Sequence, residues 1–482
     1  MNANTLTNHN PFTQTSRLQS ASSAQSIWSR RNALRSMVAG SILMPGVISE
    51  LIAAEDGTTN SSVSDADPMA PKKPHRKAPA KSVIFIYATG GVSHIDTFDP
   101  KSTENGRDGS GKDKLMGNQF GSGRNSRCGT ETSDLFPHVR DVMDEICLIR
   151  SMNASHFDHS EATLGMHTGS PTFARPSMGS WISYGLGTFN QNLPSFVVIA
   201  PHLPYGGTQV FASDFLPAVH QGTRVLPGDN PIANLEAPGK TQSLQSMEFE
   251  LVKQLNQKHL ADRPYDSALA ARMKSFETAY QMQQAAPEAF DVNDEPEHVR
   301  KLYGLDRKVK GPGADFGWQC LVARRLAERG VRFIELIDTG SRPNWDSHGE
   351  MKEHADLAYN VDQPTAGLIK DLKQRGMLDD TIVLWATEFG RTPTKEGKNG
   401  RGHHRDCFSV WLAGGGFKGG HVHGVTDEIG KYTVEDPVEV HDLHATVLHQ
   451  LGLDHERLTF RHAGRDFRLT DVHGRIVTDL IA

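Results

Sequence analysis

Four short apolar runs decide what this chain can fold into: Val83–Ala88, Phe196–Ala200, Arg332–Ile337 and Thr381–Ala386. Runs of this length without polar alternation suit strands buried on both faces. Between and after them lie segments with apolar residues at helical spacing. These are Met247–Leu260, Ala268–Gln284, Phe316–Arg329 (closed by Gly330), Leu357–Gln374 (followed by Gly376) and Val440–Leu451. Strands alternating with helices predict an α/β fold, a three-layer α/β/α sandwich around a mostly parallel central sheet. No internal repeat is visible. In such sheets the working groups gather beyond the carboxyl ends of the strands.

At 482 residues the chain has ample length for a large core. A prior of about 150 residues per domain allows three domains. The strand–helix alternation instead reads as one large domain over 81–482, with long insertions near 100–150 and 200–310. The charges nearly cancel, 51 basic against 57 acidic for a net −6. That excludes a general nucleic-acid or anionic-membrane binder, which needs a basic excess. Four cysteines without a CxxC pair make neither a disulfide scaffold nor a cysteine zinc site. Histidine stands out at 23 residues, many near acidic residues in the second half.

Residues 1–54 read as an export signal. Arg30-Arg31 precedes an apolar run, Met37–Ile52, interrupted by Gly40, Pro45, Gly46 and Glu50. The run is too short and too broken to span a bilayer, which takes about 20 apolar residues. The order of arginine pair, weak apolar stretch and Ala53-Ala54 resembles a twin-arginine signal. A periplasmic, cell-surface or secreted location is expected. Residues 55–80, rich in Ser, Thr, Asp, Pro and Lys, read as a flexible linker.

The segments after the predicted strands carry the chemistry. Gly90-Gly91-Val92-Ser93-His94-Ile95-Asp96 follows the first strand and lacks the GxGxxG of a dinucleotide site. It offers His94 and Asp96, or an Asx-turn network. Asn344-Trp345-Asp346-Ser347-His348 follows the third strand. Asp346 and His348 suit one divalent ion, or a local Asp–His hydrogen bond. Glu388 ends the fourth strand, as a ligand or as the partner of Arg391. In Arg401-Gly402-His403-His404 at most one of the adjacent histidines points into a site. His441, His444 and His449 read as helix-surface or core-edge residues. Convergence of three such loops points to one or two divalent cations.

Val361-Asp362 through Gly367-Leu368-Ile369, then Gly376-Met377-Leu378-Asp379-Asp380-Thr381-Ile382-Val383-Leu384-Trp385-Ala386-Thr387-Glu388-Phe389-Gly390, resembles the sulfatase core of the alkaline phosphatase and sulfatase superfamily. Within it the chain is similar to the exported family called domain of unknown function 1501. That likeness rests on Gly90–Thr97, Met166-His167-Thr168-Gly169, Trp345–His348, Glu388–Pro393 and Gly414–Gly420, and covers about residues 81–482. The resemblance implies an alkaline phosphatase-like fold and a metal set of His94, Asp96, Asp346, His348, Glu388 and His403. The one or two cations would be Zn, Mn, Ca or Mg. The sulfatase cysteine motif C-x-P-S-R is missing. Counting back from Thr168-Gly169 places His159 and Ser160 at the nucleophile position. His159 is expected as ligand or catalytic group, Ser160 as an activated alkoxide, and Arg391 as a clamp on a substrate oxygen. Phe389 stands where the superfamily carries a histidine, and Gly402 where many relatives carry an aspartate. The expected activity is hydrolysis of phosphate or sulfate esters, on an anionic small molecule or polysaccharide. The alternative is a non-catalytic surface or ligand-binding protein on the same fold.

Overall fold

The computed structural model describes residues 67–102, 114–228, 231–232, 242–263 and 266–482. The expected export signal and the linker up to residue 66 lie outside the described residues. Residues 67–80 run against the domain: Met69 is buried, and the amides of Lys72, Arg76 and Ala80 donate to the carbonyls of Leu186, Gly452 and Gln450.

The strands used below, in chain order, are β1 (Ser82–Tyr87), β2 (Ile146–Asn153), β3 (Phe196–Ile199), β4 (Thr223–Val225), β5 (Phe333–Ile337), β6 (Thr381–Ala386), the hairpin β7 (Gly390–Glu396) and β8 (Gly400–His404), β9 (Phe408–Ala413), β10 (His421–His423) and β11 (Val438–Glu439). Apart from the hairpin they form one sheet, in the order β10-β2-β9-β6-β1-β5-β3-β4, with β11 also beside β2. β1 lies parallel between β5 and β6, and β3 is parallel to β4 and β5. Only β9 runs against its neighbours β6 and β2.

The helices used below are α1 (Pro137–Asp141), α2 (His159–Thr168), α3 (Met178–Leu186), α4 (Gln242–Ala261), α5 (Ser267–Phe290), α6 (Phe316–Glu328), α7 (His354–Gln374) and α8 (Val440–Gln450). Side chains alternate across a strand, so each strand feeds two cores. Ile84 and Ile86 of β1 join Val139 of α1, Leu321 of α6 and Leu368 of α7. Val83, Phe85 and Tyr87 join Met166 of α2, Trp181 of α3 and Val447 of α8 on the other face. This is the expected three-layer α/β/α sandwich with a mostly parallel sheet.

The stretch 100–150, read as an insertion, ends in β2, one strand in from the edge strands β10 and β11. Arg150 breaks its apolar run, yet the side chain is accommodated. Its Nε donates to the Phe98 carbonyl at 3.0 Å, one Nη to the Glu131 carbonyl at 3.0 Å, and Asp99 lies at 3.4 Å.

Gly179 shows how closely α3 sits on the sheet. A Cβ there would meet the Phe196 ring at 2.6 Å and the Phe333 ring at 2.7 Å. Gly179→Ala is expected to destabilise the fold by about 1–3 kcal/mol, read as a lowered midpoint in a urea melt. An unchanged midpoint would show that the helix can shift freely.

Candidate metal centre

The carboxyl edge of the sheet gathers side chains from four places. β1 leads to Gly90-Gly91, β5 to Asn344–His348, β6 to Thr387-Glu388, and β2 leads into α2 with His159 in its first turn. The β7–β8 hairpin adds Arg391, Arg401 and His403. Its pairing shifts register between Arg401 and His403, a bulge that re-aims the strand. Gly90 and Gly91 are needed where they stand. Both have positive φ, and a Cβ at Gly90 would meet Asn344 and the Asp346 amide at 2.8 Å.

Asp346 Oδ1 is the centre of the cluster. His348 Nε2 lies 2.9 Å from it, His403 Nε2 3.2 Å and His159 Nε2 3.2 Å. The Nε2 atoms of His348 and His403 are 3.0 Å apart. His159, Asp346 and His403 place ligand atoms within 4.8 Å of one another. Each imidazole is oriented through its other nitrogen. His159 Nδ1 donates to Glu388 Oε1 at 2.7 Å, His403 Nδ1 to the Phe157 carbonyl at 2.7 Å, and His348 Nδ1 to Glu396 Oε1 at 3.0 Å. A neutral imidazole that donates through Nδ1 keeps a lone pair on Nε2. In the neutral form that a bound cation selects, all three Nε2 lone pairs face this region, whereas in ion-free protein His159 holds a second proton toward Asp346. His159 Nε2 is buried, is not aligned for a hydrogen bond to Asp346, and has no other partner. That orphaned donor atom and the lone-pair arrangement fit a divalent cation.

Glu388, expected as a ligand, is placed differently. It is fully buried and accepts from the Gly90 amide at 2.9 Å, His159 Nδ1, the Tyr87 hydroxyl at 3.1 Å and the Thr387 hydroxyl at 3.0 Å. A carboxylate has about four lone-pair sites, so Glu388 is spent on orienting His159. Arg391, expected to clamp substrate, is also buried. It donates from Nε to the Gly91 carbonyl at 2.7 Å, from Nη1 to the Arg401 carbonyl at 3.2 Å, and from Nη2 to Asp346 Oδ1 at 2.6 Å and to the Gly90 carbonyl. It is a strut between the β1 turn, the hairpin and Asp346.

Asp96 and His94 are not brought into the cluster. Asp96 is fully buried, bound by Arg401 Nε at 2.7 Å, the Ser93 hydroxyl at 2.6 Å and the Gln119 amide at 3.0 Å. His94 Nε2 donates to the Gly430 carbonyl at 2.8 Å. Ser160 is exposed, one residue past His159, with its amide capped by Asp158. His404 turns away and donates to the Lys431 carbonyl. His441 and His444 donate to the carbonyls of Gly169 and Met166.

Three contributors were not anticipated from sequence. The Tyr205 ring stacks on His159 at 4.3 Å, tilted by 10°, and its hydroxyl accepts from Asn344 at 3.2 Å. Tyr87 closes β1 and reaches Glu388. Glu396 orients His348. Tyr205 lies just past the carboxyl end of β3, where the post-strand rule would have found it. Phe389 forms an apolar wall, 4.8 Å from the His159 ring and 4.7 Å from His403.

The charges are strongly coupled. Burial would push the Asp346 carboxyl up, but His159, His403 and Arg391 outweigh it and hold it well below the usual range. Burial likewise opposes ionisation of Glu388, and the His159 imidazole keeps it lowered. Burial would lower His159, yet Asp346 and Glu388 raise it to about 9. Burial opposes the Asp96 charge, and Arg401 overcomes this and lowers its pKa.

The chain belongs to the family described as Protein of unknown function (DUF1501), which it matches over residues 80–481. No curated protein sequence matches it. Among solved structures this family member is similar to a sulfatase from Pseudoalteromonas sp., at 12% identity over 83% of this chain and 72% of that one, TM-score 0.38. It is similar to the lipoteichoic acid synthase LtaP from Listeria monocytogenes, at 9% identity over 84% and 79%, TM-score 0.36. A third is a mutant of alkaline phosphatase from the Antarctic bacterium TAB5 with Mg bound, at 11% identity over 79% and 99%, TM-score 0.36.

Two outcomes are expected. Arg401→Met leaves Asp96 buried without its cation and lowers unfolding free energy by about 3–5 kcal/mol. Adding Asp96→Asn restores much of that loss. A ligand role for Asp96 would instead show as lost metal with little change in the ion-free melt. In ion-free protein, the raised pKa of His159 adds stability that is complete below its ordinary 6.5 and is lost as pH rises through about 9. Chelator-treated protein should weaken between about pH 7 and about pH 10, and His159→Gln should lack that slope.

Proposed function

We propose that this chain is an exported, metal-dependent hydrolase of phosphate or sulfate esters on an alkaline phosphatase-like scaffold. It works with one divalent ion, held by His159, Asp346, His348 and His403. The observation that carries the reading is the convergence of three Nε2 atoms on the Asp346 carboxylate, each ring oriented by an acceptor at Nδ1. Three imidazoles and one carboxylate suit zinc better than magnesium or calcium, which prefer all-oxygen sets. Asp96 is paired with Arg401, and His94, bonded through Nε2 to a carbonyl and with only Nδ1 left over, lies outside the one group of ligand atoms found among the described residues. Among the described residues no second group of three ligand atoms comes together.

When bound, the ion supplies Lewis acidity, polarising an ester oxygen and offsetting its negative charge. The chain's residues prepare the site. Glu388 fixes the His159 ring and the proton on its Nδ1. Arg391 fixes Asp346. Phe389 excludes water beneath the two rings. Ser160, exposed in the first turn of α2, offers a hydroxyl where the helix N-terminus favours an anion. A non-catalytic binding role is the second reading. It is favoured by the sealed Arg391 and by the lack of the C-x-P-S-R cysteine.

The test is metal analysis followed by turnover of aryl phosphate and aryl sulfate. The expected result is one zinc-like ion per chain and ester hydrolysis, both lost in Asp346→Asn. Glu388→Gln should weaken metal affinity by about 10–100-fold through loss of ring orientation. A folded protein that takes up no ion sinks the metal reading. Ion uptake without turnover of any ester leaves the binding role.

A further inference from the structure

Phe157 is 62% exposed, yet the loop that carries it is held fast. Its carbonyl accepts from His403 Nδ1 at 2.7 Å. The Ser155 carbonyl accepts from Arg405 Nη1 at 2.8 Å, and the Ala154 amide donates to the Arg405 carbonyl at 2.9 Å. His159 follows two residues later. The backbone that carries the exposed ring is thus pinned at three points, one of them to His403 of the imidazole cluster. The Arg405 guanidinium lies 6.0 Å from the ring centroid and is about half exposed, with Asp406 at 3.6 Å. On another side of His159 stands the half-buried ring of Tyr205.

Single exposed apolar residues need no explanation in general. Phe157 differs in combining a fixed backbone, an adjoining ion-binding cluster and a neighbouring cation. A flat apolar face beside a guanidinium recognises a ring that carries an anionic group. We propose that Phe157 is the platform for the leaving group of the ester, stacking on the face of an aryl or pyranose ring while Arg405 meets an anionic substituent on it. This rests on the hydrolase reading of the same centre and narrows its substrates to ring-bearing esters. Alkyl esters lack the face that Phe157 covers.

The experiment compares wild type with Phe157→Ala and Phe157→Tyr, zinc-loaded, on phenyl phosphate, glucose phosphate and ethyl phosphate, with the matching sulfates in parallel. Phe157→Ala should raise KM for the ring-bearing esters about tenfold more than for ethyl phosphate. Phe157→Tyr should behave as wild type. A response to phenyl but not glucose esters assigns the platform to aryl rings, and the reverse assigns it to sugars. Equal KM shifts for ring and alkyl esters, or none, overturn the proposal. Calorimetry with phenylphosphonate and methylphosphonate decides it without turnover. Wild type should prefer the phenyl compound, and Phe157→Ala should lose that preference. If the preference is present while no ester is hydrolysed, the hydrolase reading fails and the ring platform stands. If esters are hydrolysed and no preference exists, the platform alone fails.

Discussion

One carboxylate oxygen organises the carboxyl edge of this protein. Asp346 Oδ1 is approached by a guanidinium and three imidazole nitrogens within 3.2 Å. A carboxylate so surrounded stays ionised, and its neighbours in turn keep their orientation through bonds reaching further out. Arg391 ties it to the turn after β1 and to the hairpin, and Glu388 ties His159 to the end of β6. Displacing Asp346 would leave the buried Arg391 guanidinium without its counter-charge, which is costlier than losing the contact itself.

Arg391 and Arg401 divide the work of charge compensation. Each is fully buried and each faces one aspartate, Arg391 facing Asp346 and Arg401 facing Asp96. Arg391 still leaves room around Asp346 for the imidazoles. Arg401, with Ser93 and the Gln119 amide, occupies Asp96 on every side. Two acidic residues that look alike in sequence therefore have different standing, one at an open cluster and the other inside a closed ion pair.

Apolar runs made β1, β3, β5 and β6 legible from sequence, because strands buried on both faces are mostly apolar; in β5 the buried Glu335 interrupts the run and is met by His167 Nε2 at 2.7 Å. β2 was hidden by Arg150, whose charge is quenched by the Phe98 and Glu131 carbonyls and Asp99. Those partners lie elsewhere in the chain and leave no local mark. In the site, Asp346, His348, His403 and His159 could be named because each follows an element that delivers it to the same edge. Glu388 was named for the right place, but its role depends on Tyr87 and Thr387, whose hydroxyls fill its remaining lone pairs. The Asp96–Arg401 pair joins residues 305 positions apart, and no spacing rule reports it. Tyr205 acts through ring stacking, which a search for ionisable groups does not weigh.

β9 reverses direction next to β6. A chain leaving β6 at the carboxyl edge would ordinarily cross back along a helix to start the next parallel strand. Here it re-enters the sheet from the edge where it left, so all of residues 387–407 stays above that edge. One reversal thereby lets a single excursion furnish Glu388, Phe389, Arg391, Arg401 and His403 as a roof over groups supplied from below. Length changes in that excursion would shift the whole canopy at once, whereas changes in any other post-strand loop would move one wall.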